Sequence, residues 1–477
     1  MALYRKLSGI WCFLKNKNLT STVTVNEVKE IAIKRGLKVN LIEERNFGFY
    51  NEIQAIYLKT DTGSALYPRK KLEDNERYNK SKEPKLIFEN FWKYIDWFLP
   101  PHVPRGLYYD AFKEEAIDTV NYNLRDKRRT QQSFENCLSL FYSIGNISSF
   151  TSQNLTRSSV ISKHVPIIKE SVFAFYSGFK VLAISALIPI IEDILNAIIG
   201  SEESSVSLIE NVNKCIDKAH KKVIDIHKNN ANWIPTEYTT IEVMKTMNEH
   251  AFCLETIRHW LLNSFYAKTD NYNNHSGFNR HHFAHAKSFI WQNSNNFFRA
   301  FGLIQALAYI EFFAVDNSKV GLFYDEPDQM TNSFYQEIMM CLNTQFLKNQ
   351  VLQNIQIKNC LPFNITASTD GWTGRSNKLS ETMNTDIIKK LQEKGWQCQK
   401  FTDPIKDGEY ITINAVKDKR ELKIALIYSC ATENNIYMNL DKCCDIILYL
   451  GAHYKQNSYA YGINATVLPI NAWIVPD

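Results

Sequence analysis

The sequence predicts a multidomain α+β protein, with a central all-α helical bundle flanked by a small N-terminal α/β domain and a C-terminal α/β domain. Three observations lead there. The chain has 477 residues, about three folding units at roughly 150 residues each. From about 110 to 315 its apolar residues recur at the helical period, with no comparable alternating run. On either side of that stretch, short β-like runs alternate with isolated helix signals. Hydrophobic residues at 45% and charged residues at 22% describe an ordinary globular chain and exclude wholesale disorder.

Residues 1–85 read as the small α/β or α+β domain. Thr24 and Glu27 have capping-box spacing, the helix they start carries Val28, Ile31 and Ala32, and Gly36 stops it. Runs at 9–14 and 54–59 read as strands, and Asp61-Thr62-Gly63 as a turn between strands. A Lys-rich polar stretch, 69–85, leads to an aromatic helix through Phe88, Trp92, Ile95 and Phe98, ended by Pro100-Pro101. That helix opens a helical connector over 86–160.

The bundle is expected over 161–316. Its helical segments are 166–175, 179–199, 206–227, 241–268 and 280–315, the last with a break near Gln292. Ala183, Leu187, Ile191, Ile194 and Ile198 make one apolar stripe, and Val243, Met247, Leu254, Ile257 and Leu261 another. Four to five antiparallel helices with short links make a bundle. A linker with the acidic patch Asp325-Glu326-Pro327-Asp328 and a helix near 333–347 fill 317–350. The C-terminal domain, 351–477, has a helix at 380–394 stopped by Gly395, then β-like runs at 409–416, 422–429, 445–450 and 465–475.

Fifty-five Lys and Arg against 50 Asp and Glu leave +5, so any polyanion site must be local. Ten cysteines include no CxxC pair, and only Cys443 and Cys444 are adjacent, so neither a zinc ribbon nor a disulfide framework is written here. A reducing compartment fits that usage. The N-terminus lacks a signal-peptide pattern, and the apolar run from Val181 to Ile191 falls short of the ~20 residues a bilayer needs. The expectation is a soluble cytoplasmic chain with no membrane partner.

The chemistry concentrates in Phe278-Asn279-Arg280-His281-His282-Phe283-Ala284-His285, which opens a helix after the polar stretch 270–277. His281 and His285 are four apart and share a face, whereas Arg280 lies about 140° round from His285. Arg280 therefore reaches across from the helix start or serves a site shared with a second chain. Three readings fit these residue types. Polar residues can simply solvate a helix start. His281 and His285 have the spacing to share a metal ion, although an Arg beside them would repel it and no acidic or thiol ligand is adjacent. In phosphodiester chemistry, an imidazole moves the proton and a guanidinium stabilises the developing charge. Only the last uses both residue types.

A second segment bears on that choice. The stretch from Val165-Pro166-Ile167-Ile168-Lys169-Glu170 through Ala183-Ile184-Ser185-Ala186-Leu187-Ile188-Pro189-Ile190-Ile191-Glu192-Asp193 resembles the first helical hairpin of the HEPN superfamily. Asn279-Arg280-His281 followed by His285 resembles the motif found about 90 residues later in a branch of that family. Both pieces stand here in that order, across about 165–315, with Ala286 where the branch usually has Gly.

The resemblance implies a regulated, metal-independent endoribonuclease with no cofactor and no metal, acting on RNA such as tRNA or mRNA as a homodimer or higher oligomer. By position, Arg280 and His285 become the catalytic pair, His281 the polar residue after the Arg, and Glu192 the acid of the earlier helix. Asn279, His282, Ser185 and Asn196 are expected in support, with Ser185, Glu192 and Asn196 forming a polar strip on an apolar helix. The stripe Phe297, Phe298 and Phe301 is expected either at a chain interface or in the core. An abortive-infection or toxin role in antiphage defence, set off by a phage-derived trigger or restrained by an inhibitory partner, follows by analogy. The alternative is a non-catalytic dimerising sensor or scaffold whose C-terminal domain binds a nucleotide or a phage protein.

Weaker signals remain. Basic runs at 125–129 and 218–222 offer phosphate contacts. Asp370-Gly371-Trp372-Thr373-Gly374-Arg375-Ser376 reads as a loop before a helix, and Glu421 and Lys423, with Asp407 before them, loosely match a metal-dependent nuclease pattern.

Overall fold

A computed structural model describes residues 2–16, 23–200, 207–285, 290–363, 372–399, 401–402, 404 and 409–476. For His285 the description covers the backbone alone. The chain is a multidomain α+β protein with a large helical core and two small sheets.

The N-terminal domain holds α1 (Ala2–Asn16), α2 (Val25–Lys34) and an antiparallel sheet β1 (Val39–Phe47), β2 (Ile53–Thr60) and β3 (Gly63–Pro68). Thr24 caps α2 in a complete capping box with Glu27, and Gly36 leaves the helix at φ +68°. Asp61-Thr62 is the hairpin turn, closed by Thr60 opposite Gly63. The expected strand at 9–14 is instead part of α1. Leu7, Ile10, Trp11 and Leu14 are buried at i, i+3, i+4 and i+7, a helical period that a short window conceals. The domain also ends differently from the expected 1–85. Ala231, Ile234, Tyr238, Val243 and Met247 complete its core from much later in the chain. Trp233 pairs along β3, donating its N–H to the Ser64 carbonyl at 3.1 Å and accepting from the Leu66 N–H at 3.0 Å.

The helical domain runs through α3 (Glu76–Tyr94), α4 (Arg105–Glu114), α5 (Lys127–Phe141), α6 (Ile144–Ser149), α7 (Val165–Tyr176), α8 (Lys180–Ile199), α9 (Leu208–His227), α10 (Ile241–Met247), α11 (Glu249–Trp260), α12 (Arg280–His285), α13 (Asn295–Ala314) and α14 (Gln329–Lys358). One continuous core extends from Phe91 to Ile338. The expected connector 86–160 is therefore part of this domain: Phe91, Trp92, Phe112, Phe134 and Phe141 sit in the same core as Ile191 and Phe297. The single helix expected over 241–268 divides at Asn248, whose backbone leaves the helix and whose side chain accepts from the N–H groups of His250 and Ala251. The first half touches both cores, with Met244 in the helical one, and the second half only the helical one. Val243 and Met247 belong to the N-terminal one, Leu254, Ile257 and Leu261 to the helical one.

Phe297, Phe298 and Phe301 are buried, and Phe297 stacks on Phe175 at 3.9 Å, so this stripe is intramolecular core and not a chain interface. Helices α8 and α13 are each long and apolar enough to cross a bilayer by composition, and both pack into the helical core.

Helix α14, expected at 333–347, is 30 residues long because both of its ends have work to do. Phe334 and Ile338 enter the helical core. Further along, Gln353 Nε2 donates to Tyr428 Oη at 2.6 Å, and that hydroxyl donates to Asn349 Oδ1 at 3.2 Å, joining the C-terminal domain. That domain comprises α15 (Trp372–Thr382), a π-helical stretch, α16 (Lys389–Glu393), β4 (Gln397–Cys398), β5 (Tyr410–Lys417), β6 (Arg420–Ile427), α17 (Asn434–Asp441), β7 (Ile446–Tyr449), α18 (Gln456–Tyr459) and β8 (Thr466–Pro469). The sheet order is β4-β5-β6-β7-β8, antiparallel as far as β6 and parallel beyond it. Each face of the sheet has its own core, one under Leu379, Met383 and Ile387, the other under Ile436, Tyr437 and Leu440. Gly395 at φ +83° turns the chain out of the helix before β4. The run expected at 465–475 is strand only over β8 and then turns through a 3₁₀ segment.

Burial holds the pKa values of His102, His227 and His250 down to about 4. The native state refuses protons that these residues accept, once unfolded, below their ordinary value of about 6.5. Stability is then flat above pH 7 and falls as the pH drops from about 6.5 towards 4. Urea denaturation across that range should show the decline, and His227→Phe, which keeps the edge contact with Phe47, should make it shallower. A midpoint constant from pH 7 to 5 would contradict this.

Candidate functional site

The site is set by a loop that the helical core grips before α12 begins. Asp96, in a left-handed conformation at φ +58°, accepts at Oδ2 from Tyr272 Oη and Ser276 Oγ, both at 3.0 Å. Arg299 donates to the Asp96 carbonyl at 2.8 Å and to Glu135 Oε1 at 2.7 Å. Burial raises the pKa of the Asp96 carboxyl, and the Arg299 charge beside it works the other way. Gln131 Oε1 accepts from the His275 N–H at 3.0 Å, and Asn296 Nδ2 donates to the Ser276 carbonyl at 2.7 Å. Residues 272–276 are thus held by α5, α13 and the turn after α3.

Asn279 converts that grip into a helix start. Its Oδ1 accepts from the N–H groups of His281 and His282 at 2.9 and 3.1 Å, as an N-cap does. Its Nδ2 donates to the carbonyls of Ser264 and Ala267 at 2.7 and 2.9 Å. The Ser264 carbonyl lies in the π-helical turn Leu261–Phe265 that follows α11, and the Ala267 carbonyl two residues beyond it. One buried amide therefore ties the end of the α11 segment to the beginning of α12.

Arg280, the first residue of α12, turns toward α8. Its Nε lies 2.6 Å from Glu192 Oε1, and its Nη2 lies 3.5 Å from Oε2. Both side chains are about a quarter to a third exposed, at 30% and 26%, so the pair is open to an incoming ligand. The hydrogen bond that Arg280 donates to Glu192 raises the Arg280 pKa above its ordinary value. His281 and His282 are half-buried, and the His282 ring meets the edge of Tyr272 at 5.6 Å. The backbone of His285 closes the same short helix, one turn beyond His281; its side chain lies outside the described residues.

The supporting residues separate. Ser185 is half-buried two turns before Glu192 on α8, on the outward strip. Asn196 accepts from Asn211 Nδ2 at 3.0 Å and so ties α8 to α9.

Tyr266 has no sequence signal of its own. It follows the π-helical turn, between the two residues whose carbonyls hold Asn279. Its hydroxyl is buried without a hydrogen-bond partner among the described residues. Burial raises its pKa, the Glu192 charge adds to that, and Arg280 opposes it, which places the phenol within the field of the pair. A second polar cluster also escaped the sequence reading. His220 lies 2.6 Å from Glu255, and Arg258 spans Glu255, Asp217 and Asn213 between α9 and α11.

The C-terminal signals resolve into structure. Asp370 and Gly371 lie outside the described residues, as does Asp407. Trp372-Thr373-Gly374-Arg375-Ser376, expected as a loop, is the first part of α15. Gly374 has the room it needs only because it lacks a Cβ, which would stand 2.7 Å from Asn349 Nδ2. Arg375 is fully buried, 5.5 Å from the Tyr428 ring. Glu421 and Lys423 stand two apart on one face of β6, and the Lys423 N–H donates to Asp445 Oδ2 at 2.8 Å. In the basic runs, Asp126 caps α5 and Lys218 Nζ donates to the Ile198 carbonyl at 3.1 Å.

Two substitutions separate the roles of the buried polar groups. Asn279→Ala removes a cap worth about 1 kcal/mol and strips two buried carbonyls at about 1–3 kcal/mol each. Chemical denaturation should therefore show a loss of about 3–7 kcal/mol, and a loss below about 1 kcal/mol would deny the bridging role. Tyr266→Phe deletes a hydroxyl that satisfies nothing, so stability should stay within about 0.5 kcal/mol or rise. Compared with known proteins, the chain matches no family model, no curated protein and no solved structure.

Proposed function

We propose that this chain is a metal-independent endoribonuclease of the HEPN type. The observation that carries the reading is the Arg280–Glu192 contact at 2.6 Å, which joins the two sequence segments that carry the resemblance across 88 residues. Arginine at the start of a helix, with three histidines following within five residues, combines a permanent cation with proton-transfer groups poised near neutral pH.

The chemistry follows from those groups. A histidine, His285 or His281, takes the proton from the ribose 2′-hydroxyl, and that oxygen bonds to its own adjacent phosphorus. Arg280 holds the non-bridging oxygens while negative charge develops there. The P–O5′ bond breaks, and the leaving 5′-oxygen takes a proton from the second histidine. The products are a 2′,3′-cyclic phosphate and a 5′-hydroxyl. DNA, which has no 2′-hydroxyl, survives. Glu192 keeps the guanidinium oriented toward the phosphate. The substrate is tRNA or mRNA, the working form is a homodimer or higher oligomer in the cytoplasm, and the role is that of a regulated toxin in antiphage defence, released by a phage-derived trigger or loss of an inhibitory partner.

A second reading rests on the same contact. If Arg280 and Glu192 serve only as a strut between α8 and α12, the chain is a dimerising sensor or scaffold without catalysis. Incubation of purified protein with total RNA in EDTA separates the two. Cleavage should persist without metal, and Arg280→Ala and His285→Ala should each slow it at least about 10²-fold. Glu192→Gln, which keeps the shape but not the charge, should slow it by about tenfold with the melting temperature within a few degrees of wild type. Equal cutting by all four proteins would end the ribonuclease reading.

A further inference from the structure

Helix α14 presents a second face that neither domain covers. Its buried face carries Thr331, Phe334, Ile338, Gln345 and Asn349. On the other side Met340, Leu347, Val351 and Ile355 are 50–62% exposed, with Thr344 exposed among them. At about 100° per residue these five side chains fall within about 80° of arc, a continuous stripe. Between Glu337 and Lys358 the one charged residue is Lys348, and its ammonium is turned aside over the Phe179 ring at 4.8 Å. Phe179 and the exposed Leu182 extend the apolar surface onto α8.

The charges at the two ends of the stripe identify its occupant. Glu337 and Lys358 are both exposed and lie within the same arc as the apolar residues. Placing a second α14 antiparallel, about a two-fold axis between positions 347 and 348, sets Met340 opposite Ile355, Thr344 opposite Val351, and Leu347 beside its own copy. The same operation sets Glu337 opposite Lys358 at both ends. A parallel arrangement would instead put each charge against its like. We infer that α14 is a self-docking surface on which two copies of this chain pair antiparallel through Met340, Leu347, Val351 and Ile355, with Glu337 and Lys358 setting the direction.

The surface is independent of the ribonuclease reading and replaces the phenylalanine stripe as the interface. From Glu337 to Lys358 the helix spans about 32 Å. A contact made by one helix stripe of each partner, extended by Phe179 and Leu182, is small beside a standard interface, so the dimer should dissociate on dilution.

Sedimentation velocity of the full chain over a range of concentrations tests the inference. Wild type should show a monomer–dimer equilibrium. Leu347→Glu, at a 62% exposed position, should raise the dissociation constant at least tenfold while leaving the circular dichroism and melting temperature as in wild type. Glu337→Lys and Lys358→Glu should each weaken pairing severalfold, and the two together should restore it, since each new Lys then meets a new Glu across the axis. A wild-type chain that stays monomeric at 100 µM-scale concentrations, or a dimer untouched by Leu347→Glu, would overturn the surface. A double variant that pairs no better than either single one would overturn the antiparallel direction.

Discussion

A positive charge shut away from water lies at the middle of the helical domain. Arg299 is fully buried, and its guanidinium is kept there by Glu135, by the carbonyl of Asp96 and by the Trp97 ring 5.0 Å away. Removing one partner of a buried ion pair costs on the order of 3–5 kcal/mol, because the other charge is left without solvent or counter-charge. That constraint fixes the turn after α3 against α5 and α13. It also fixes Asp96, and through Asp96 the loop carrying Tyr272 and Ser276. The loop that delivers Asn279 and Arg280 is therefore positioned by the part of the core least able to rearrange.

The candidate site is built outward from that grip. Asn279 spends both ends of its amide on backbone groups that two interrupted helices leave open, and the result is a helix that starts where Arg280 meets Glu192. A rigid floor under a partly exposed ion pair suits chemistry on an anion, since the donors are held in place before the ligand arrives. The hydroxyl of Tyr266, buried in the same field, has no hydrogen-bond partner among the described residues.

Much of the local structure was legible in the residues themselves. The capping box at Thr24 and Glu27 and the helix stops at Gly36 and Gly395 depend on contacts within a few positions, and each appears where the sequence puts it. The apolar stripe of α8 is buried as its period implies. The misread pieces share a different character. Residues 9–14 contain too little of the helical period to distinguish it from alternation. At Asn248 the pattern continues unbroken while the partner changes, because one set of apolar residues packs on the sheet and the next on the bundle. The connector 86–160 looked separate only because its aromatic partners lie as far away as Phe297.

The sequence by itself determined the class of most elements, the central helical stretch, and the residue types of the Arg280 motif, since all of these follow from periodicity, capping and side-chain chemistry read locally. It also carried both halves of the Arg280–Glu192 contact, but as two segments 88 residues apart. Only the tertiary structure decided that these halves touch, that Asn196 turns instead to Asn211, and that Phe297, Phe298 and Phe301 face inward while the stripe on α14 faces out. The physical reason is that a helix with two apolar faces, or a polar residue on a core helix, takes its role from which neighbour arrives, and the neighbour is chosen by long-range packing that no window of sequence contains.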